Sequence, residues 1–409
     1  MNSGYTLLSG SVNSSTLYSD LIVESAINFE LIDINKKRYY DLRSGLWNVS
    51  LGYDENLYSD VIRCFSDLLG RGIPYLDIQS YKNPLYEEVS KKLLDFVGIE
   101  DFKKVFFTNS GSESMELAIK IAQKSCGKNG KIVTFNDSYH GNFFGGMAVS
   151  GLDALINNDY SLLKNNIIYL PFPDNVEKCQ YIIDYIEENY QDIMFFVMEP
   201  IIASGGLNFS NSNFFNKLLK ILKERNIISI FDEVATGFYR TGNRFYLTNL
   251  EEKPDILCLS KSINNGITPL GAVLFSKEIE RKLIRKDIEH FSTQNGNLLG
   301  MVSAKITIDY FIKYEKEIFY NVNLLEKSFN KIAVQYNLKY KSKGAMASIE
   351  INSPHLLNLI EELKNIGVLV YIYSDGRNNG ITLFPILTMT AEKYASCVNI
   401  IFKKGLHYA

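Results

Sequence analysis

The chain has 409 residues, 46% hydrophobic and 22% charged, which is ordinary globular material for a large domain and a smaller one. A formal net charge of −3 and short apolar runs exclude the signatures of a nucleic-acid binder, an anionic-membrane binder or a helical membrane span. Five scattered cysteines (Cys64, Cys126, Cys179, Cys258 and Cys397) fit reduced cytoplasmic thiols rather than a disulfide frame. The four histidines lack metal-ligand spacing, so no metal site is expected.

The N-terminal stretch MNSGYTLLSGSVNSS lacks a basic region followed by a sustained apolar run, so no signal peptide is expected. NFELIDINKKRYYDLRSG reads as a hairpin turning near Asn35-Lys36-Lys37. SGLWNVSLGY follows with the only tryptophan, Trp47, whose default role is a core or interface anchor. Helices are predicted over Glu55 to Leu69 and Pro84 to Phe96, the second with Pro at its start and Gly98 past its end. Between them lies the aromatic-bearing loop RGIPYLDIQSYKN, which contains Tyr81.

From Lys103 the pattern becomes regular. Strands are predicted at Val105–Thr108, Ile132–Phe135, Asn166–Pro171, Ile193–Met198, Ile227–Phe231 and Asp255–Leu259. Helical stretches fall after the first of these, at Glu177–Asn189 and at Asn213–Glu224. Strands alternating with helices argue for an α/β fold with a doubly wound, mostly parallel sheet. After Gly271–Phe275 helices dominate to about Gln335, and 336–409 mixes short strands and helices. The expected organisation is an N-terminal segment, 1–55, packing with a small domain; a large domain, 56–305; and a small α+β domain, 306–409.

Two strand ends carry chemistry. Ile227–Phe231 is followed by Asp232-Glu233, and Asp255–Leu259 by Ser260-Lys261. Ligands of open α/β sheets bind outside the carboxyl ends of the strands, so an acid and a lysine there can face one crevice. Pyridoxal phosphate (PLP) needs that pair, a lysine for the Schiff base and an acid beside the pyridinium nitrogen. On its own, Asp232 also reads as a helix cap. Ser110-Gly111-Ser112-Glu113 opens a helix after a strand and offers backbone N–H groups to a phosphate, or it is a plain capping box. Tyr139-His140-Gly141 places an aromatic where it can lie on a planar ring, although a core aromatic explains it equally well. Glu199 precedes Pro200 at another strand end, and Thr293 sits in the polar loop HFSTQNGNLLG.

The order NSGSESMELAIKIA, SYHG, MEPI, IFDEVATGFYRTG, SKSINNGITPLGA and STQNGN resembles the class III aminotransferases, PLP enzymes of fold type I, over roughly residues 25 to 400. The resemblance implies that Lys261 forms the Schiff base and then moves the proton between substrate Cα and cofactor C4′. It implies that Asp232 holds the pyridine nitrogen protonated, with Glu199 supporting the Asp232 region. Val234 and Tyr139 would cover the two ring faces. Ser110, Gly111 and Ser112 would hold the phosphate, with His140 beside Tyr139. Thr293 would reach the phosphate of the neighbouring subunit, which implies a homodimer with composite sites.

Two departures bear on substrate. Many relatives carry Glu within EPxxGEGG; here the run is EPIIASGG, with Ser204 at that position. Counting back from Pro385 puts Asp375 where a carboxylate-binding Arg is expected, with Arg377 two residues on. The pattern resembles the ω-amine branch. Trp47, Tyr81 and Arg377 are the candidate substrate contacts. The implied activity moves an amino group from a donor to a ketone, aldehyde or keto-acid acceptor, in biosynthesis and with a peptide-borne acceptor as one option. Rival readings are an aminomutase, racemase or decarboxylase of the same family, or a non-catalytic PLP-fold binding protein.

Overall fold

The computed structural model describes residues 21–78, 80–152 and 166–409, so the first part of the expected N-terminal segment lies outside the described residues. Seven strands form the main sheet. In spatial order they are Phe102–Thr108, Gly271–Ser276, Ile256–Leu259, Ile228–Asp232, Ile193–Met198, Lys131–Phe135 and Ile167–Leu170. The last five pair in parallel. Gly271–Ser276 runs antiparallel to both its neighbours, which leaves Phe102–Thr108 pointing the same way as the parallel set.

The central strands are apolar on both faces, as a sheet covered on both sides requires. Phe195, Val197, Ile228 and Ile230 pack with helix Gly111–Cys126 on one face. Phe196, Met198 and Phe231 face the other core, with helices Val176–Asn189 and Ser212–Glu224. Helix Pro84–Val97 starts on a capping Asn83 and stops at Gly98, whose φ of 71° suits glycine.

The N-terminal strands Val23–Ile27, Glu30–Asp33 and Arg38–Asp41 form an antiparallel meander, and Val368–Leu369 adds in parallel to its edge. Asp33 shapes the hairpin turn by accepting from the backbone N–H groups of Asn35 and Lys37, both at 2.9 Å. A second, antiparallel sheet orders Tyr340–Lys343, Met346–Glu350, Asn379–Leu383 and Tyr371–Ser374. The expected boundary between 305 and 306 falls inside one helix, Leu298–Lys313. That helix is buried around most of its circumference and packs on Glu55–Gly70 and Pro84–Val97; the change of partners comes at Tyr314, before helix Glu315–Ala333 joins Ala391–Gly405.

Arg240 links these parts. Its side chain is fully buried, and its Nη1 donates to the carbonyls of Ala345 at 3.2 Å and Pro385 at 2.5 Å, while Nη2 donates to Ser50 Oγ at 3.0 Å. One guanidinium thus joins the main-sheet loop, the N-terminal segment and the small domain. Burial pushes it down to about 9. Removing it leaves buried acceptors unpaired, each costing about 1–3 kcal/mol. Arg240→Met is therefore expected to lower unfolding stability by about 2–4 kcal/mol, read as a fall in the urea midpoint. A midpoint within error of the parent would show that this link holds nothing together.

Candidate active site

The carboxyl edge of the main sheet gathers the polar groups. Asp232 ends its strand, buried. Its Oδ2 lies 2.9 Å from His140 Nδ1, and its Oδ1 accepts from the Val234 N–H at 3.0 Å. An ionised carboxylate only accepts, so the geometry assigns the proton to Nδ1 of His140. Glu199 follows the next strand and accepts from the Tyr139 N–H at 2.9 Å. Burial first, and then the neighbouring charge of Asp232, hold Glu199 well above the usual carboxylate range.

Lys261 follows strand Ile256–Leu259 in a left-handed backbone conformation, φ 44°, which costs a non-glycine residue strain. Burial holds its ammonium below the usual lysine range, opposed by Asp232 and Glu199. The loop is pinned from the N-terminal segment. Asn265 accepts from the Leu51 N–H at 2.8 Å and donates to the Gly52 carbonyl at 2.9 Å, and Ser262 Oγ meets Ser50 Oγ at 2.5 Å. These contacts seat Trp47 over the lysine, with Nζ 4.6 Å from the ring centroid.

Trp47 reaches that position through a left-handed helical turn. Ser44, Gly45, Leu46 and Trp47 all have φ between 46° and 67°. Three of them carry side chains, and each such residue costs about 1–2 kcal/mol. Several contacts offset this. The Gly45 N–H donates to Asp41 Oδ2 at 2.9 Å, the Trp47 N–H donates to the Arg43 carbonyl at 2.8 Å, and the Trp47 ring packs 4.3 Å from Phe384.

On the opposite wall Ser110 caps helix Gly111–Cys126, its Oγ accepting from the Glu113 N–H at 3.1 Å. A Cβ on Gly111 would meet Val234 at 2.9 Å, and one on Gly141, at φ 91°, would meet Ser112 at 2.5 Å. The two glycines keep the helix N-terminus open between Val234 and the Tyr139 loop. Glu113 in turn accepts from the Asn109 N–H at 2.8 Å and lies 3.2 Å from His290 Nε2, which ties this corner to the Thr293 loop.

These groups line one cavity of about 410 Å³. Of the residues singled out from sequence, Trp47, Ser110, Gly111, Ser112, Tyr139, His140, Glu199, Asp232, Val234 and Lys261 all line it. Tyr81, 63% exposed, Thr293, also exposed, and Arg377 do not. Asp375 is a turn former: its Oδ1 accepts from the N–H groups of Arg377 at 2.8 Å and Asn378 at 2.6 Å, which closes the hairpin tip away from the cavity. The small domain instead presents Tyr371, Ile372 and Thr382, with Tyr371 and Thr382 paired across adjacent strands. Nothing in the local sequence marks Tyr371; only the pairing of two distant strands brings it to the wall. Leu46, Met115, Ala235 and Ser260 complete the lining unforeseen, and Ser204 joins them.

The residues fit PLP. A buried lysine faces a buried acid, an open helix N-terminus supplies phosphate donors, and buried His140 Nε2 has no hydrogen-bond partner among the described residues. On a seven-stranded mixed sheet this arrangement defines a PLP enzyme of fold type I. The family described as Aminotransferase class-III matches residues 11–404, and the chain belongs to it: it is a PLP-dependent aminotransferase. It is 29% identical over 402 residues to the acetylornithine aminotransferase of Bacillus subtilis (strain 168), covering 95% of this chain and 96% of that one. The solved structure of adenosylmethionine-8-amino-7-oxononanoate aminotransferase from Methanocaldococcus jannaschii is similar at a TM-score of 0.86 and 26% identity, over 96% of this chain and 94% of that one. An amine transaminase from an uncultivated Pseudomonas species, in its PLP-bound form, matches with a TM-score of 0.89 over 100% of both chains; at 22% identity this likeness concerns the fold. Among the described residues no helix is long and apolar enough to cross a membrane, and no cluster of His, Cys, Asp and Glu is arranged to hold a metal ion.

Asp232→Asn keeps the shape of the side chain but removes the charge that His140 and Val234 hold in place. Turnover is expected to fall by at least about a hundredfold, the scale of losing one preorganised electrostatic partner. A near-parental rate with an unchanged cofactor spectrum would remove Asp232 from its assigned role.

Proposed function

We propose that the chain is a homodimeric aminotransferase of the amine type, whose donor presents a primary amine on a carbon with no adjacent carboxylate. The observation that carries this reading is the charge of the cavity wall. Among the described residues its only Lys or Arg is Lys261, and its acids are Glu199 and Asp232. A carboxylate beside the reacting carbon would find no guanidinium there to pair with it bidentately. Ser204, at the cavity wall where many relatives have Glu, leaves room and no charge.

When bound, PLP supplies an aldehyde that takes up the donor's amino group and a ring that withdraws electrons from the carbon that bore it. Lys261, kept below the usual lysine range by burial, would offer its amine for bonding and for moving a proton at that carbon. Asp232 holds the ring nitrogen's proton, and His140 fixes the carboxylate's rotation. Glu199, held well above the usual carboxylate range by burial and then by the neighbouring Asp232, supports the Asp232 region. Tyr139 and Val234 would flank the ring, and Ser110, Gly111 and Ser112 would hold the phosphate.

The dimer reading is supported by the exposed Thr293 loop beside the phosphate corner. It is supported also by a neighbouring groove of about 500 Å³ lined by Val49, Val61, Phe65, Ile267 and Leu299, mostly apolar and fit to be covered by a second copy. In the second half-reaction the stored amino group passes to a ketone, aldehyde or keto acid.

Two measurements test this. Borohydride reduction of the yellow holoenzyme followed by peptide mapping should label Lys261, and a label on another lysine would overturn the assignment. Mixing inactive Lys261→Ala with an inactive Thr293→Ala protein should restore part of the activity in hybrid dimers. No recovery despite proven subunit exchange would rule out shared sites.

A further inference from the structure

The cavity wall is poor in cations, yet one lies a single ring away. Arg43 immediately precedes the left-handed turn, and its guanidinium carbon lies 5.5 Å from the centroid of Tyr371. Tyr371 lines the cavity and meets Trp47 edge-on at 6.4 Å, and Trp47 in turn covers Lys261. An aromatic wall therefore runs from the reacting lysine out to a guanidinium.

That guanidinium is uncommitted. The Arg43 side chain is 32% exposed, and its nearest acid is Asp41, reached only through Nε at 3.9 Å, beyond hydrogen-bond length. Asp41 is already satisfied: its oxygens accept from the N–H groups of Arg43 and Gly45, each at 2.9 Å, and from the Tyr53 hydroxyl at 2.8 Å. None of the donors on the Arg43 side chain makes a hydrogen bond to the described residues, so the full fork is free for an incoming group.

We infer that Arg43 is a substrate-binding and specificity-determining residue that captures a carboxylate at the far end of the substrate, away from the reacting carbon. The substrate class is then a linear molecule with a primary amine, or the matching carbonyl, at one end, a carboxylate at the other, and an apolar spacer lying along Trp47 and Tyr371. This rests on the aminotransferase reading with Lys261 as the reacting lysine. The charge pattern separates the two ends. The cavity wall beside Lys261 offers a carboxylate no guanidinium, and the first uncommitted one along the aromatic wall receives it. The Tyr371 ring, 5.5 Å from the guanidinium carbon, attracts its charge and leaves the donors free.

The test uses holoenzyme and two series of probes, linear ω-amino acids of increasing length and n-alkylamines of equal length. Their first half-reactions are followed in single turnovers. Non-reacting linear dicarboxylates are titrated in parallel against the fluorescence of Trp47, the only tryptophan in the chain. The parent should prefer the longer ω-amino acids to the matched amines. Arg43→Gln should lose at least about tenfold in kcat/KM for those amino acids, carried by KM, with alkylamine rates unchanged and the dicarboxylate response weakened. Arg43→Lys should recover part of the loss, since it keeps the charge but not the fork. Equal losses on both series in Arg43→Gln would reduce Arg43 to a structural brace and overturn the inference. So would no change in either series. In both cases alkylamine turnover by the parent leaves the aminotransferase reading standing. No turnover of any amine, with no label on Lys261, would overturn both.

Discussion

The structure depends on a buried guanidinium that has no carboxylate partner among the described residues. Arg240 spends its two Nη groups on two small-domain carbonyls and one N-terminal hydroxyl, and its charge sits in a site that pushes its pKa down to about 9. A buried charge with only neutral acceptors is expensive, and a hydrophobic contact of the same area would be cheaper. What the guanidinium provides is geometry. Its bonds to Ser50, Ala345 and Pro385 converge from three segments, so the segment bearing Trp47 and the domain bearing Tyr371 are held against the same loop of the main sheet.

Within the cavity the decisive feature is inequality between two nearby acids. Asp232 has His140 and the Val234 N–H on its oxygens; Glu199 accepts from the Tyr139 N–H, yet burial and then the neighbouring Asp232 hold it well above the usual carboxylate range. Lys261 sits close enough to feel both groups. Backbone strain gathers around the same point, in Lys261 itself and in the turn from Ser44 to Trp47. Strain of this sort persists only where surrounding bonds over-determine the conformation. Here Asp41, Asn265 and Ser262 do so.

Much of the large domain was legible along the chain. Each strand of the parallel set is a short apolar run followed by polar residues, and helix Pro84–Val97 announces both its ends through Pro84 and Gly98. Site residues on strand ends, such as Asp232, Glu199 and Lys261, were readable because the fold places every carboxyl end at one edge. What could not be read was anything set by pairing across long separations. The antiparallel course of Gly271–Ser276 and the addition of Val368–Leu369 to the N-terminal sheet belong here, as does the choice of Tyr371 over Asp375 for the cavity wall. Counting residues back from Pro385 ignores that a hairpin alternates its faces and that Asp375 is drawn into its own turn. Arg43 was silent for a related reason, since only the left-handed turn beside it and the ring of Tyr371 give its position meaning.

The antiparallel strand Gly271–Ser276 has a consequence for how the molecule is assembled. Strand Phe102–Thr108, which carries the phosphate corner at its end, has that strand as its sole neighbour in the sheet, with Gly271 beside Thr108. The parallel set from Lys131 to Leu259 can pair without it. During synthesis the chain therefore emerges with its helix-opening Ser110–Ser112 turn hanging from an unpaired edge until residue 276 has left the ribosome. Closing so long a loop is slow, and an unpaired edge strand is a place where neighbouring chains can add. The corner proposed to take phosphate can thus join the sheet only once that antiparallel neighbour is in place.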